Sequence, residues 1–230
     1  MTAEDGLRVL AAGSLRPAFD VLGAAAPGTL RFAYANARDL ARRIEAGEPA
    51  DVFASASAEH PAALHAAGLV SAPRPFASNV LVAAVPVASP ARDFAVLAAP
   101  GTRVVIEVEG IPLGDYTRAA LARLDELHGG EFAARVYDNV VAQEQTVDHV
   151  AALLLGGEAD AAVLYATDVA ARPDGLRAIA LPAAAAVEVT CVACTVAAAA
   201  RPDAAKAWVE GLTAPAAQAV LRRAGFGPPR

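Results

Sequence analysis

The sequence predicts an α/β protein, and three observations carry that prediction. Strand-like and helix-like patterns alternate almost from one end of the 230 residues to the other. The strand-like runs are short and continuously apolar, as suits strands covered on both faces. Turns of only a few residues lead from them into helix starts. Two longer extended runs, near residues 80–85 and 187–196, bracket the middle of the chain. They predict two α/β lobes joined by two crossover strands, with residues 1–79 and 187–230 as a discontinuous first lobe and 80–186 as the second.

Each element follows from local chemistry. Residues 7–12, L-R-V-L-A-A, read as a buried strand. Gly13 permits a tight turn, Ser14 is a good N-cap, and Pro17 falls in the first turn of a helix over 15–26. A second strand spans 30–34. The helix over 37–46 has Leu40 and Ile44 on one face and Gly47 as its stop. Residues 51–56 form a third strand, and 60–67 a helix ended by Gly68. The P-R-P-F-A-S-N stretch at 73–79 is loop-like, and a strand over 80–85 ends at Pro86. The middle block predicts a strand over 103–107, a turn at 110–114 and a helix over 116–127. An extended stretch covers 137–141, a helix 146–155 with Gly156 and Gly157 as its stop, and a short buried strand 161–165. The last strand covers 187–196, and helices over 201–212 and 214–224 close the chain. No internal repeat or low-complexity linker is visible.

Composition narrows the function classes. Hydrophobic residues make up 56%, much of it alanine, and no run of large apolar residues is long enough to span a bilayer. A net charge of −6 argues against nucleic acid as a partner, because phosphate backbones are bound through clustered cations. Lys206 is the only lysine, which removes most Schiff-base chemistry. Cys191 and Cys194 lie three apart in a β-prone run and so point to opposite faces, ill placed for a disulfide or a shared metal. His60, His65, His128 and His149 lack ligand-like spacing, so no bare metal cation is expected. Glu107, Glu109 and Asp115 cluster around the turn at Pro112 and read as a solvated loop, with coordination of a metal-like oxyanion centre or acid and base chemistry as the alternative. Ser14 lacks a G-x-S-x-G elbow or an evident base, which argues against a hydrolase. Met1 to Gly6 is short, polar and acidic and does not read as a signal peptide.

The strand ends are where polar groups collect: Ser14, the turn at Asn36, Ala37, Arg38 and Asp39, then Ser55 and Ser57, Pro112 to Asp115, and Tyr165 to Asp168. Helix starts at the carboxyl ends of strands favour an anion, through unpaired N–H groups and the helix dipole. Taken singly, each of these residues reads equally well as a helix cap.

Five ordered segments carry a resemblance. Ala11-Ala12-Gly13-Ser14-Leu15 resembles an A-A-S-L opening, and residues 40–53 resemble L-A-R-Q-I-E-x-G-x-P-A-D-V-F. Pro75 to Asn79 with Leu81 and Val82 is similar to a crossover segment, Pro112 to Tyr116 to P-A-G-x-Y, and Gly157 to Ala161 with Tyr165 to G-E-A-D-x-G-I-V-Y. Gly225-Phe226 matches the usual end. Together they resemble the molybdate-binding proteins of ABC importers, within the extracellular solute-binding family of type II periplasmic fold, over residues 7–230.

The resemblance implies a substrate-binding protein that holds molybdate or tungstate in a cleft between the two lobes and delivers it to an ABC importer permease. It implies that Ser14 hydrogen-bonds the oxyanion, that Leu113 and Val147 donate backbone N–H groups, and that Tyr165 donates its phenol. Where the family has a serine pair, this chain has Asn36, Ala37 and Arg38. Ala37 keeps an N–H without the hydroxyl, and Arg38 either reaches the anion or points to solvent. No cofactor is implied, and the chain is expected to act as a monomer. A periplasmic or extracytoplasmic mature form lacking its leader is expected, with a cytoplasmic location as the alternative. Alternative functions are another small anion or carboxylate as ligand, or a cytoplasmic sensory or catalytic relative.

Overall fold

In the computed structural model, residues 6–229 are described, so the expectation about Met1 to Asp5 lies outside the described residues. The chain forms two compact units, one running up to Asn79 and again from Val189, the other covering Val80–Glu188.

The first unit begins with β1 (Leu7–Ala12), α1 (Arg16–Ala24), β2 (Leu30–Ala35), α2 (Ala37–Glu45), β3 (Val52–Ser55) and α3 (Glu59–Ala66). β1 pairs in parallel with both β2 and β3, and β3 pairs antiparallel with β9 (Glu188–Thr195). The helices α8 (Pro202–Gly211) and α9 (Pro215–Arg223) complete it. Alternation along the strands builds a core on each sheet face. Val9, Ala11, Val52 and Ala54 pack with Phe19 of α1, Val209 of α8 and Leu221 of α9. Leu10 and Phe53 pack with Leu40 and Ile44 of α2 and Leu64 of α3. Phe19 anchors the first core, its ring 5.1 Å from Trp208 in an edge-on pair and 5.8 Å from Phe76.

The second unit contains β5 (Val104–Glu107), α4 (Pro112–His128), α5 (Phe132–Asp138), β6 (Val140–Glu144), α6 (Val147–Leu155), β7 (Ala161–Tyr165), α7 (Ala166–Ala170) and β8 (Leu176–Ala180). β5 lies between β6 and β7, parallel to both. The long β4 (Arg74–Pro86) pairs antiparallel with β7 and β8. The parallel order 6-5-7 repeats the 2-1-3 order of the first unit, a repeat of topology that the sequence does not display. In each unit the strand order reverses beside the first strand, between β1 and β3 or between β5 and β7, and ligands of open α/β sheets bind at the carboxyl ends of such a pair.

Four expectations are corrected. Residues 74–79 are strand, because β4 runs from Arg74 straight through to Pro86, and the prolines fall at its ends. The helix expected from residue 116 starts at Pro112, so the turn at 112–115 is its first turn. The extended stretch at 137–141 is the end of α5, then Asn139, then the start of β6. Ser14 does not cap α1; it lies inside a 3-10 turn over Gly13–Leu15, and the α-helix starts at Arg16 with Pro17 in its first turn.

Candidate functional site

The first unit places Ser14, Asn36, Ala37 and Arg38 just beyond the ends of β1 and β2. Ser14 is half-buried. Asn36 caps α2: its Oδ1 accepts the Asp39 N–H at 2.8 Å, and its Nδ2 donates to the Asp39 carboxylate at 2.7 Å. Its amide is thereby engaged within its own helix turn. Ala37 and Arg38 are the first two residues of α2, whose opening N–H groups have no partner within the helix. Ala37 is 9% exposed and Arg38 is exposed. Ser55, at the end of β3, accepts the Ser57 N–H at 3.1 Å, and Ser57 accepts the Glu59 N–H at 3.3 Å, so both hydroxyls shape the turn into α3.

The second unit repeats the arrangement with different residues. Leu113 is the second residue of α4 and is 1% exposed, so only its backbone has a polar role. Val147 opens α6, whose N-cap Thr146 accepts the His149 N–H through its hydroxyl at 3.3 Å. Val147 therefore stands in α6 as Ala37 stands in α2, the first residue after a side-chain cap. Tyr165 ends β7, 6% exposed, and donates its backbone N–H to Asp168 at 3.2 Å.

Gly114 sets the first turn of α4 directly on the end of β5. A Cβ there would lie 1.9 Å from the Val108 carbonyl oxygen and 3.0 Å from that of Glu107. Arg118 ties the same place together: its Nη1 donates to the Glu107 and Gly114 carbonyls at 3.1 and 2.8 Å, and its Nη2 to Gln143 of β6 at 3.1 Å.

The loop reading of Glu107 is corrected. It is the last residue of β5 and only 2% exposed, whereas Glu109 and Asp115 are exposed. Burial pushes its carboxyl up to about 8, with Asp168 raising it further. Asp168 is 7% exposed, and burial pushes it up to about 7 against the opposing Tyr165 N–H and Arg172. From the sequence Glu107 reads as part of a loop, and Asp168 only as one polar residue of a strand end. The available signal for Glu107 was its place at the end of the apolar run Val104 to Ile106.

The two cysteines lie on opposite faces of β9, as expected, with Cys191 in one core and Cys194 in the other. His65 binds the Val70 carbonyl at 3.0 Å, and the His128 ring lies tilted against Phe94 and Phe132. Among the described residues, no cluster of three or more His, Cys, Asp or Glu is arranged to hold a metal ion.

Comparison with known proteins gives concordant findings. The family described as bacterial extracellular solute-binding protein matches residues 7–227. The molybdate-binding protein ModA of Mycobacterium bovis is 31% identical over 229 residues, covering 96% of this chain and 84% of the relative. Among solved structures, the Azotobacter vinelandii periplasmic molybdate-binding protein superposes with a TM-score of 0.81 at 19% identity, covering 97% of this chain and 100% of that one. The sulfate-binding protein SubI of Mycobacterium tuberculosis superposes with a TM-score of 0.80 at 19% identity, covering 98% and 87%.

Proposed function

Because the chain belongs to the bacterial extracellular solute-binding protein family, we propose that it captures molybdate or tungstate outside the cytoplasmic membrane and presents it to an ABC importer permease. It acts as a non-enzymatic, monomeric carrier. The observation that carries this reading is the repeated placement of helix starts at the carboxyl ends of parallel strands, α2 in one unit and α4 and α6 in the other. Such ends supply N–H donors and a favourable dipole to an anion. Ser14, Ala37, Leu113, Val147 and Tyr165 are the donors this reading assigns. Among the described residues no helix is long and apolar enough to cross a membrane.

Selectivity follows from size and donor count. Donors spaced for molybdate or tungstate leave the smaller sulfate under-coordinated, and each unmatched buried hydrogen bond costs roughly 1–3 kcal/mol. Titration calorimetry tests the reading: molybdate and tungstate should bind far more tightly than sulfate and phosphate. Absence of heat with both large oxyanions overturns it.

A second reading keeps the fold and family but changes the ligand to another small anion. It is favoured by Ala37, which offers no hydroxyl, and by the Asn36 amide, which is taken up by Asp39.

A further inference from the structure

We propose that anion capture by this protein is proton-linked, with Glu107 and Asp168 as the pair that takes up the proton when a dianion binds. The inference rests on the oxyanion reading above and names a regulation of that same site.

The geometry comes first. Glu107 ends β5 and Asp168 is the third residue after β7, so the two carboxyls follow adjacent parallel strands. Those strand ends also supply Leu113, at the start of α4, and Tyr165. Asp168 is bonded to the Tyr165 backbone itself, at 3.2 Å. Both carboxyls are more than nine-tenths buried.

The surrounding charges do not neutralise the pair. From α4, Arg118 approaches Glu107 but spends its donors on the Glu107 and Gly114 carbonyls and on Gln143. Asp115, in the same turn, accepts the Gly110 N–H at 2.7 Å. From β6, Glu144 stands in register beside Glu107, with His149 of α6 3.5 Å away from it. Arg172, following α7, donates to the Asp168 carbonyl at 2.9 Å and to the Asp148 carboxylate of α6 at 2.6 Å. Two buried acids thus follow adjacent parallel strands, with the nearby guanidiniums directed to carbonyls or to other acids.

Burial, with the charge of Asp168 added at Glu107 and that of Asp148 at Asp168, places the two titrations near neutral, at about 8 for Glu107 and about 7 for Asp168. Above that range both groups are ionised, and a dianion meets two buried negative charges. As the anion enters, its charge raises the proton affinity of the pair, and a proton from solvent neutralises one carboxylate. By linkage, the anion's affinity must then fall as pH rises through the same range.

The test is titration calorimetry of the whole chain with molybdate and tungstate at pH 7.5, in two buffers of different ionisation enthalpy, repeated from pH 6 to pH 9. Proton uptake between zero and one per anion is expected. The Kd should rise about tenfold across the range for each unit by which the anion raises the titration of the pair. Glu107→Gln should remove most of the uptake and flatten the profile. Asp168→Asn, which retains an acceptor for the Tyr165 N–H, is the second variant should the first fail to fold. Equal enthalpies in both buffers with a flat Kd overturn the proposal while leaving the oxyanion reading intact. Uptake that survives both substitutions overturns its assignment to this pair. Absence of binding to either anion instead overturns the underlying oxyanion reading.

Discussion

The Asp51 carboxylate accepts the backbone N–H of Arg8 at 2.8 Å through Oδ2, while Asp51 in turn donates its own N–H to the Arg8 carbonyl at 2.9 Å. Its other oxygen accepts the Arg201 N–H at 3.1 Å, just ahead of α8. Asp51 is 3% exposed, so this one side chain joins the start of β1, the entry to β3 and the start of α8. Asp160 repeats the device in the second unit, accepting the Arg103 N–H at 2.9 Å and donating to the Arg103 carbonyl at 2.8 Å. The acid of each A-D motif is therefore a structural brace. Hydrogen bonds to a charged group contribute about 1.5–3 kcal/mol each, so Asp51→Ala should cost roughly 3 kcal/mol or more in denaturant unfolding. Asp160→Ala should cost less, because its ion pair with Arg103 is half-exposed.

Gly114→Ala should damage binding more than its size suggests. The added methyl would meet the Val108 carbonyl at 1.9 Å, and backbone cannot yield as a flexible side chain does. The first turn of α4 must shift, at a cost of about 1–3 kcal/mol in stability. Molybdate affinity should fall by more than tenfold as Leu113 is displaced, read by calorimetry on protein shown to be folded.

At the start of α2, three substitutions separate capping from recognition. Asn36→Ala removes the acceptor for the Asp39 N–H and should cost about 1 kcal/mol of stability. Arg38→Ala should weaken the true ligand much more than Ala37→Ser does if the guanidinium reaches the anion. Equal effects of the two would assign Arg38 to solvent. Competition titrations of each variant with molybdate and sulfate make the comparison.

Stability should fall as pH rises. Glu107 and Asp168 have folded-state values raised to about 8 and about 7, so the folded chain binds more protons than the unfolded chain between the ordinary carboxylate range and those values. Their contribution is fully present below about pH 4 and is lost as pH rises through 7 to 8. Thermal melts of the anion-free protein should show Tm declining from pH 5 to pH 9, and Glu107→Gln should make that decline shallower.

Both thiols should be inert in the native protein. Cys191 and Cys194 are fully buried, and burial pushes each up to about 12. A maleimide reagent at pH 7.5 should label neither until denaturant is added, and then both.

Much of this fold was legible because its signals are local. Gly47 and Gly68 adopt the positive φ that ends α2 and α3, and β1 and β7 fall where their apolar runs place them. The loop reading of 73–79 failed because Pro73 and Pro75 mark a loop by propensity, while the sheet accepts Pro75 at the very start of the long β4. Ser14 failed as a cap for a related reason. The tight 3-10 turn moves the helix start past it, to Arg16. The positions of Leu113 and Val147 came from resemblance alone, since an apolar residue that offers only its backbone N–H leaves no mark in a sequence.

The sequence by itself determined the alternation of strands and helices, the helix stops and the family, because capping, periodicity and glycine conformation act within a turn or two of chain. Tertiary structure alone decided that Glu107 and Asp168 are buried acids and that the two units share one strand order. Desolvation and close approach depend on which distant segments pack together. A glutamate at the end of β5 becomes a proton-holding group only when α4, β6 and β7 close around it.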